Sequence, residues 1–269
     1  MPISDYYDGL DRIAEHNGST DFFKLSPSSA ADFFLSTRQW YGQNLLGEPK
    51  FESSVSTILG TIVHYFAEQA SLRLKPENPD KLVADYLSTQ KVESPAEIQA
   101  LWKDMSNELI KGCIHGHPKP LATEQFMFHK LLPGIYVGGT TDAIVDLGYG
   151  NGTVSIRDYK TASTKPSGIS YAYRLQAHIY AFLATHYLGY KVSQIELQFV
   201  TRPTKTLPCR HFSFTEPFTE ENLATITDQL QLIAESVDFW NKNPDLRYLL
   251  AQDLRLKPQP KKKPLFLKD

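Results

Sequence analysis

Apolar positions along this chain change period four times. From Val55 to Leu74 they recur every three or four residues, which predicts one long amphipathic helix. Asp5 to Glu15 and Pro27 to Trp40 read as shorter helices, the second capped by Ser26 or Ser28. Pro76-Glu-Asn-Pro-Asp80 and Val92-Glu-Ser-Pro95 punctuate two further helices that end near Ile110. The period then shortens to two, predicting strands around Glu124, Asp142 and Asp158. Gly148-Tyr149-Gly150-Asn151-Gly152 is a turn signal that joins the last two of these into an antiparallel hairpin. A helix from Ser170 to Tyr187, strands over Val192–Arg202 and Cys209–Phe214, and a helix from Thr219 to Asn241 complete the pattern. The class is α/β, ordered α-β-β-β-α-β after an N-terminal helical region.

One strand carries chemistry. In Thr153-Val-Ser-Ile-Arg-Asp-Tyr-Lys-Thr161 the even positions are Val154, Ile156, Asp158 and Lys160. Side chains two apart leave the same face, so an acid and a base stand at the rim of a core. An Asp-x-Lys on a strand is ordinarily a solvated pair, and its company decides the matter. The hairpin brings Asp142 beside Asp158, and Gly138-Gly139 permits close backbone approach. Adjacent carboxylates repel unless a proton or a cation lies between them. Oxygen donors of this kind suit Mg²⁺ or Mn²⁺. Asp146 lies deeper in the hairpin and reads as structural. His64, alone on an amphipathic helix, is by itself an ordinary half-buried histidine, and Glu68 one turn on reads as a surface charge.

Taken in order, the motifs resemble the PD-(D/E)xK nuclease superfamily, in its RecB-type exonuclease branch. The resemblance rests on Leu25-Ser26-Pro27-Ser28-Ser29 with Arg38-Gln39-Trp40-Tyr41, on Gly60-Thr-Ile-Val-His64, and on Gly139-Thr-Thr-Asp142. It continues through Asp158-Tyr159-Lys160-Thr161 and Gln176-Ala-His-Ile-Tyr180. It implies a restriction-endonuclease-like core with a mixed central sheet flanked by helices. It implies Asp142, Asp158 and Lys160 as catalytic residues, and His64, Asp142, Asp158 and the Tyr159 carbonyl as metal ligands, the number of ions left open. Lys160 would position or help deprotonate the attacking water, or stabilise charge on the phosphate. Gln176 and Tyr180 would support the site or touch DNA, with Glu124 as a supporting carboxylate. The activity implied is metal-dependent hydrolysis of DNA from an end, in recombination, repair or phage-type DNA metabolism. An endonuclease on the same core, or a catalytically silent DNA-binding or assembly protein, are the alternatives.

Composition adds bounds. With 269 residues, 41% apolar and 22% charged, residues 1–250 read as a single nuclease domain. Within it, residues 1–115 are mainly helical, 120–215 hold the sheet and its helix, and 219–242 form the last helix. No apolar run is long enough to span a membrane and the start lacks signal-peptide features, so an intracellular setting (cytoplasm or nucleoid) is expected. Two cysteines, Cys113 and Cys209, cannot supply the four ligands of the iron–sulfur cluster found in some relatives. Cys113-Ile-His115-Gly-His117 is too cramped for a zinc site and reads as a loop. A net charge of −2 and a pI near 6.5 leave phosphate binding to local cations. Candidates are Lys160, Lys165, Arg174, Arg202, Lys205 and Arg210. Arg38, Trp40 and Tyr41 either form a stacking platform for an unstacked base or belong to the core. Residues 251–269 form a basic, proline-rich tail, expected to be extended and able to dock on DNA or on a replication or recombination protein.

Overall fold

The computed structural model describes residue 3, residues 9–48 and residues 54–246. In chain order, α1 (Leu10–Asn17), β1 (Phe23–Leu25), α2 (Pro27–Leu35), α3 (Thr37–Leu45), α4 (Val55–Ser71), α5 (Pro79–Thr89) and α6 (Pro95–Cys113) come first. There follow β2 (Ala122–Leu132), β3 (Ile135–Asp146), β4 (Thr153–Ala162), α7 (Tyr171–Leu188), β5 (Lys191–Thr201), β6 (Arg210–Pro217) and α8 (Glu220–Lys242). The predicted α-β-β-β-α-β order is present. The helix starts are chemically marked: Ser26, Ser54, Ser170 and Thr219 accept a backbone N–H from the first turn of α2, α4, α7 and α8.

The strands form one six-stranded mixed sheet. Glycines at φ 73°, 70° and 70° (Gly148, Gly150 and Gly152) turn β3 back into β4, and Asp146 caps that turn by accepting the Gly148 N–H at 2.8 Å. Strand β3 pairs along one edge with β2, antiparallel. Its other edge changes partner: β1 holds Ile135–Val137 in parallel and β4 holds Ala143–Asp146 antiparallel. Between Val137 and Ala143 no strand among the described residues pairs with that edge. Beyond β4 the sheet continues with β5, parallel, and β6, antiparallel.

Alternation along β4 divides the interior. Val154 and Ile156 join Leu197 and Phe199 in a core under α2, α3, α7 and α8. Tyr159 and Val200 face the opposite core, built with α4, α5 and α6. Asp158 and Lys160 thus emerge on the α7 side, as the period of two requires. Among the described residues, no helix is long and apolar enough to cross a membrane.

One predicted helix changes and one strand, β1, was not expected, while two expected spans fall partly or wholly outside the described residues. The predicted helix Pro27–Trp40 is two helices broken at Ser36, where the Thr37 hydroxyl donates to the Phe33 carbonyl and competes with the helical ladder. The first helix spans Leu10–Asn17, and part of its predicted span, residues 5–8, lies outside the described residues. The tail 251–269 lies outside them too. The Cys113–His117 segment behaves as a loop: Cys113 is buried with its thiol donating to the Leu109 carbonyl, and both histidines are exposed.

Candidate active site

The change of partner along β3 opens the place where chemistry collects. The β3–β4 ladder stops at Ala143 opposite Arg157, and one step further the next N–H of β4 finds a side chain instead of a carbonyl. Tyr159 N–H donates to Asp142 Oδ2 at 2.5 Å. The other oxygen of Asp142 lies 3.0 Å from His64 Nδ1, which α4 brings from the opposite layer. Gly60, one turn before His64, lets the helix lie close to the strand end: a Cβ there would stand 3.4 Å from the Thr161 hydroxyl. Gly139 plays the same part on the other face, where a Cβ would meet Pro27 at 2.7 Å.

Asp158 and Lys160 form an ion pair at 2.5 Å, almost entirely buried. The Lys160 ammonium also donates to Gln176 Oε1 at 3.1 Å, and Gln176 in turn donates to the Tyr180 hydroxyl at 3.3 Å. Gln176 and Tyr180 lie one turn apart on α7, so the spacing of that motif becomes a relay that holds the lysine. The Tyr173 ring lies under the same ammonium, 5.1 Å from ring centre to nitrogen.

Charge is unbalanced here. Burial raises the Asp158 carboxyl, and Asp142 adds to that rise against the pull of Lys160. Burial acts on Asp142 in the same sense, but His64 and Lys160 outweigh it and lower its pKa. For His64, Asp142 overcomes a burial effect of the opposite sign and raises the imidazole. Lys160 is raised likewise, by Asp158 and Asp142 against burial. Glu124 stands opposite Asp142 in the β2–β3 register and is pushed up to about 8, first by burial and then by Asp142. Its backbone has φ 47°, a left-handed conformation that costs a non-glycine residue roughly 1–3 kcal/mol. The β2–β3 ladder lacks that one pair, while its register runs unchanged on either side, from Thr123 opposite Ala143 to Gln125 opposite Thr141.

The sequence matches the PD-(D/E)XK nuclease superfamily over residues 24–261. The chain belongs to that superfamily. Among solved structures, a protein of Eubacterium rectale assigned as an exonuclease superposes with a TM-score of 0.51 at 14% identity, covering 90% of this chain and 86% of that one. An alkaline exonuclease of Laribacter hongkongensis aligns with a TM-score of 0.37 at 15% identity, over 86% of this chain and 99% of that one. The same enzyme in complex with dAMP aligns over 67% of this chain and 93% of that one, at 15% identity and a TM-score of 0.33. No curated protein matches the chain significantly.

Not every residue singled out in the sequence reaches this cluster. Arg38 is exposed on α3, which packs on α2. Trp40 and Tyr41 are fully buried, Tyr41 against Trp240 with ring centres 3.7 Å apart, so the stacking platform gives way to the core reading. Arg174 is engaged by Glu216 through two hydrogen bonds of 2.6 Å and is not a free cation for phosphate. Lys165 is exposed, its ammonium 5.2 Å from the Phe212 ring centre. Glu68, read as a surface charge, is half-buried, and its charge adds to the rise at Glu124. Its position one turn after His64 on the same helical face was the available signal. Among the described residues no three His, Cys, Asp or Glu side chains converge on one point, because His64 closes on Asp142 and Lys160 on Asp158.

Proposed function

We propose that this chain is a divalent-metal-dependent nuclease that hydrolyses DNA phosphodiesters, working from a free end in recombination, repair or phage-type DNA metabolism. The observation that carries it is the buried Asp142 and Asp158 at the gap in the β3 edge, with the Lys160 ammonium fixed beside them by Gln176. The preference for ends rests on the RecB-type order of the motifs.

The donors fit a hard cation. Asp142, Asp158, the Tyr159 carbonyl and His64 supply oxygens and one imidazole, a set suited to Mg²⁺ and better still to Mn²⁺. The excess of buried acid over base, with Glu124 pushed towards neutrality, is the condition a dication would relieve. Bound there, such an ion would polarise a phosphoryl oxygen and lower the pKa of a water.

The chain's own groups do the rest. Lys160, kept protonated by two aspartates, is a donor for charge developing on the phosphate. Gln176 and Tyr180 restrict its rotamer, so little reorganisation is needed as that charge appears. His64 fixes the orientation of Asp142 through Nδ1 and leaves Nε2 as the nitrogen able to ligate. End-labelled linear DNA, single- and double-stranded, with a closed circular control and Mg²⁺ or Mn²⁺, tests this. Shortening of linear DNA alone, abolished in Asp158→Ala and Lys160→Ala, is the expected result. Cutting of circles moves the assignment to an endonuclease, and binding without cutting by the wild type overturns the catalytic reading.

A further inference from the structure

A cavity adjoins the site. It has a volume of about 370 Å³ and lies beyond the carboxyl ends of the parallel strands β4 and β5, the usual position of ligand crevices in such sheets. Its floor is the chain leaving β4: Thr161, Ser163 and Thr164. One wall is Ser56 in the first turn of α4; the other is Tyr173 in the first turn of α7, backed by the buried Phe199. Arg202 closes the top, donating to Ser56 Oγ at 2.7 Å and standing 3.5 Å from Glu97.

The lining has two distinct halves. Hydroxyls and a guanidinium, opposed only by a half-exposed glutamate at 3.5 Å, make a phosphate half. The Tyr173 ring, edge-on to Phe199 with centres 5.8 Å apart, makes an apolar half of the kind on which bases stack. The two halves touch the proposed catalytic lysine directly, since Tyr173 lies under Lys160 and Thr161 follows it in the chain. The volume falls in the range of small-molecule pockets.

We propose that this cavity holds the nucleotide flanking the scissile phosphodiester of a single DNA strand, its phosphate against Arg202 and the hydroxyls and its base against Tyr173. The inference rests on the nuclease reading above. It makes Arg202 and Tyr173 substrate-binding residues that act on the strand and not on the metal.

Fluorescence anisotropy of a labelled oligothymidylate with the full chain in EDTA tests it, alongside cleavage with Mg²⁺ or Mn²⁺ and a melting curve for each variant. Arg202→Gln should weaken binding by roughly 10-fold, and Arg202→Lys by less. Tyr173→Leu should weaken it roughly 5- to 100-fold on the normal strand and not at all on an abasic one, where no base can stack. Arg202 also ties β5 to α4, so the exposed Thr164→Glu serves as the variant that leaves folding intact. It too should weaken binding, by like-charge repulsion of the phosphate. A wild type that cuts DNA while Thr164→Glu, Arg202→Gln and Tyr173→Leu all bind as it does overturns the pocket and leaves the nuclease reading standing. A wild type that neither binds nor cuts overturns both.

Discussion

Arg157 and Asp158 are neighbours on β4, face opposite sides of the sheet and are both buried, yet their surroundings are electrostatically opposite. Arg157 donates to Glu196 at 2.8 Å and to the Cys113 carbonyl at 2.7 Å. Glu196 accepts further bonds from Gln194 and Gln198, both at 3.1 Å, and Gln198 is held in turn by His211 at 2.8 Å. One cation meets one anion, and Gln194, Gln198 and the Cys113 carbonyl supply further hydrogen bonds. Around Asp158, by contrast, Asp142 and Glu124 share a field with Lys160 and His64 among the described residues, and Glu68 adds to the field at Glu124. Asp158 Oδ2 has the ammonium at 2.5 Å but no hydrogen bond of good angle among the described residues. A satisfied buried network fixes structure, whereas an unsatisfied one keeps free energy available for a ligand. Two residues of one strand show both.

Substitution should separate the two clusters. Asp158→Asn is expected to lower DNA cleavage by at least 10²–10³-fold, on the order of what a lost electrostatic catalytic group costs, while leaving the melting temperature equal or higher as repulsion is relieved. Arg157→Met should do the reverse. It strands a buried Glu196 at a cost of about 3–5 kcal/mol, which lowers the melting temperature by roughly 10 °C, and cleavage per folded molecule should persist. Equal losses of melting temperature in the two variants would erase the contrast.

The pH response should differ in sign. Glu124 in the folded chain titrates near about 8, above its ordinary 4.5, so its neutral form is the one the fold favours. Its contribution is complete below 4.5 and is lost as pH rises through about 8, and it should vanish in Glu124→Gln. Added Mg²⁺ or Mn²⁺ should blunt the loss. Burial would raise Glu196, but Arg157 outweighs it and the folded pKa is depressed. That contribution is present above the ordinary value and disappears as pH falls below it, through the folded pKa. Melting curves across both ranges, for wild type, Glu124→Gln and Glu196→Gln, read the two signs. If the stability of the wild type relative to Glu124→Gln does not fall between pH 4.5 and about 8 in EDTA, the assignment at Glu124 is refuted.

The smallest effect belongs to the relay. Gln176→Leu removes one hydrogen bond to a charged group and should reduce kcat about 10-fold. Tyr180→Phe, which loses a longer bond to Gln176, should cost only a few-fold. Turnover of each at saturating DNA checks the order, and a larger effect for Tyr180→Phe would show that the relay runs otherwise.

Much of the site was legible because its signals are local. The glycine-rich turn set the hairpin and so the pairing of Asp142 with Asp158. Period two put Asp158 and Lys160 on one face, and the one-turn spacing of Gln176 and Tyr180 placed both on the side of α7 that meets the lysine. Glu68 was misread because a half-buried acid and a solvated one look alike on an amphipathic helix. Arg174 was misread, and Tyr41 was left undecided, for a related reason. Aromatic and cationic residues near a motif in sequence can equally be core and ion pair, and Trp240 and Glu216, which settle the matter, lie far along the chain.

Periodicity, turn chemistry and capping residues act over a few residues, so the α-β-β-β-α-β order and the strand that carries Asp158 and Lys160 follow from the sequence alone, whereas the short β1 and the break at Ser36 do not. Which edge of β3 lies open, which buried charges are balanced, and whether Arg202 and Tyr173 share a cavity depend on parallel register and on packing between distant segments. Those are set only when the β4–β5 pairing closes and burial removes the water that would otherwise screen each charge.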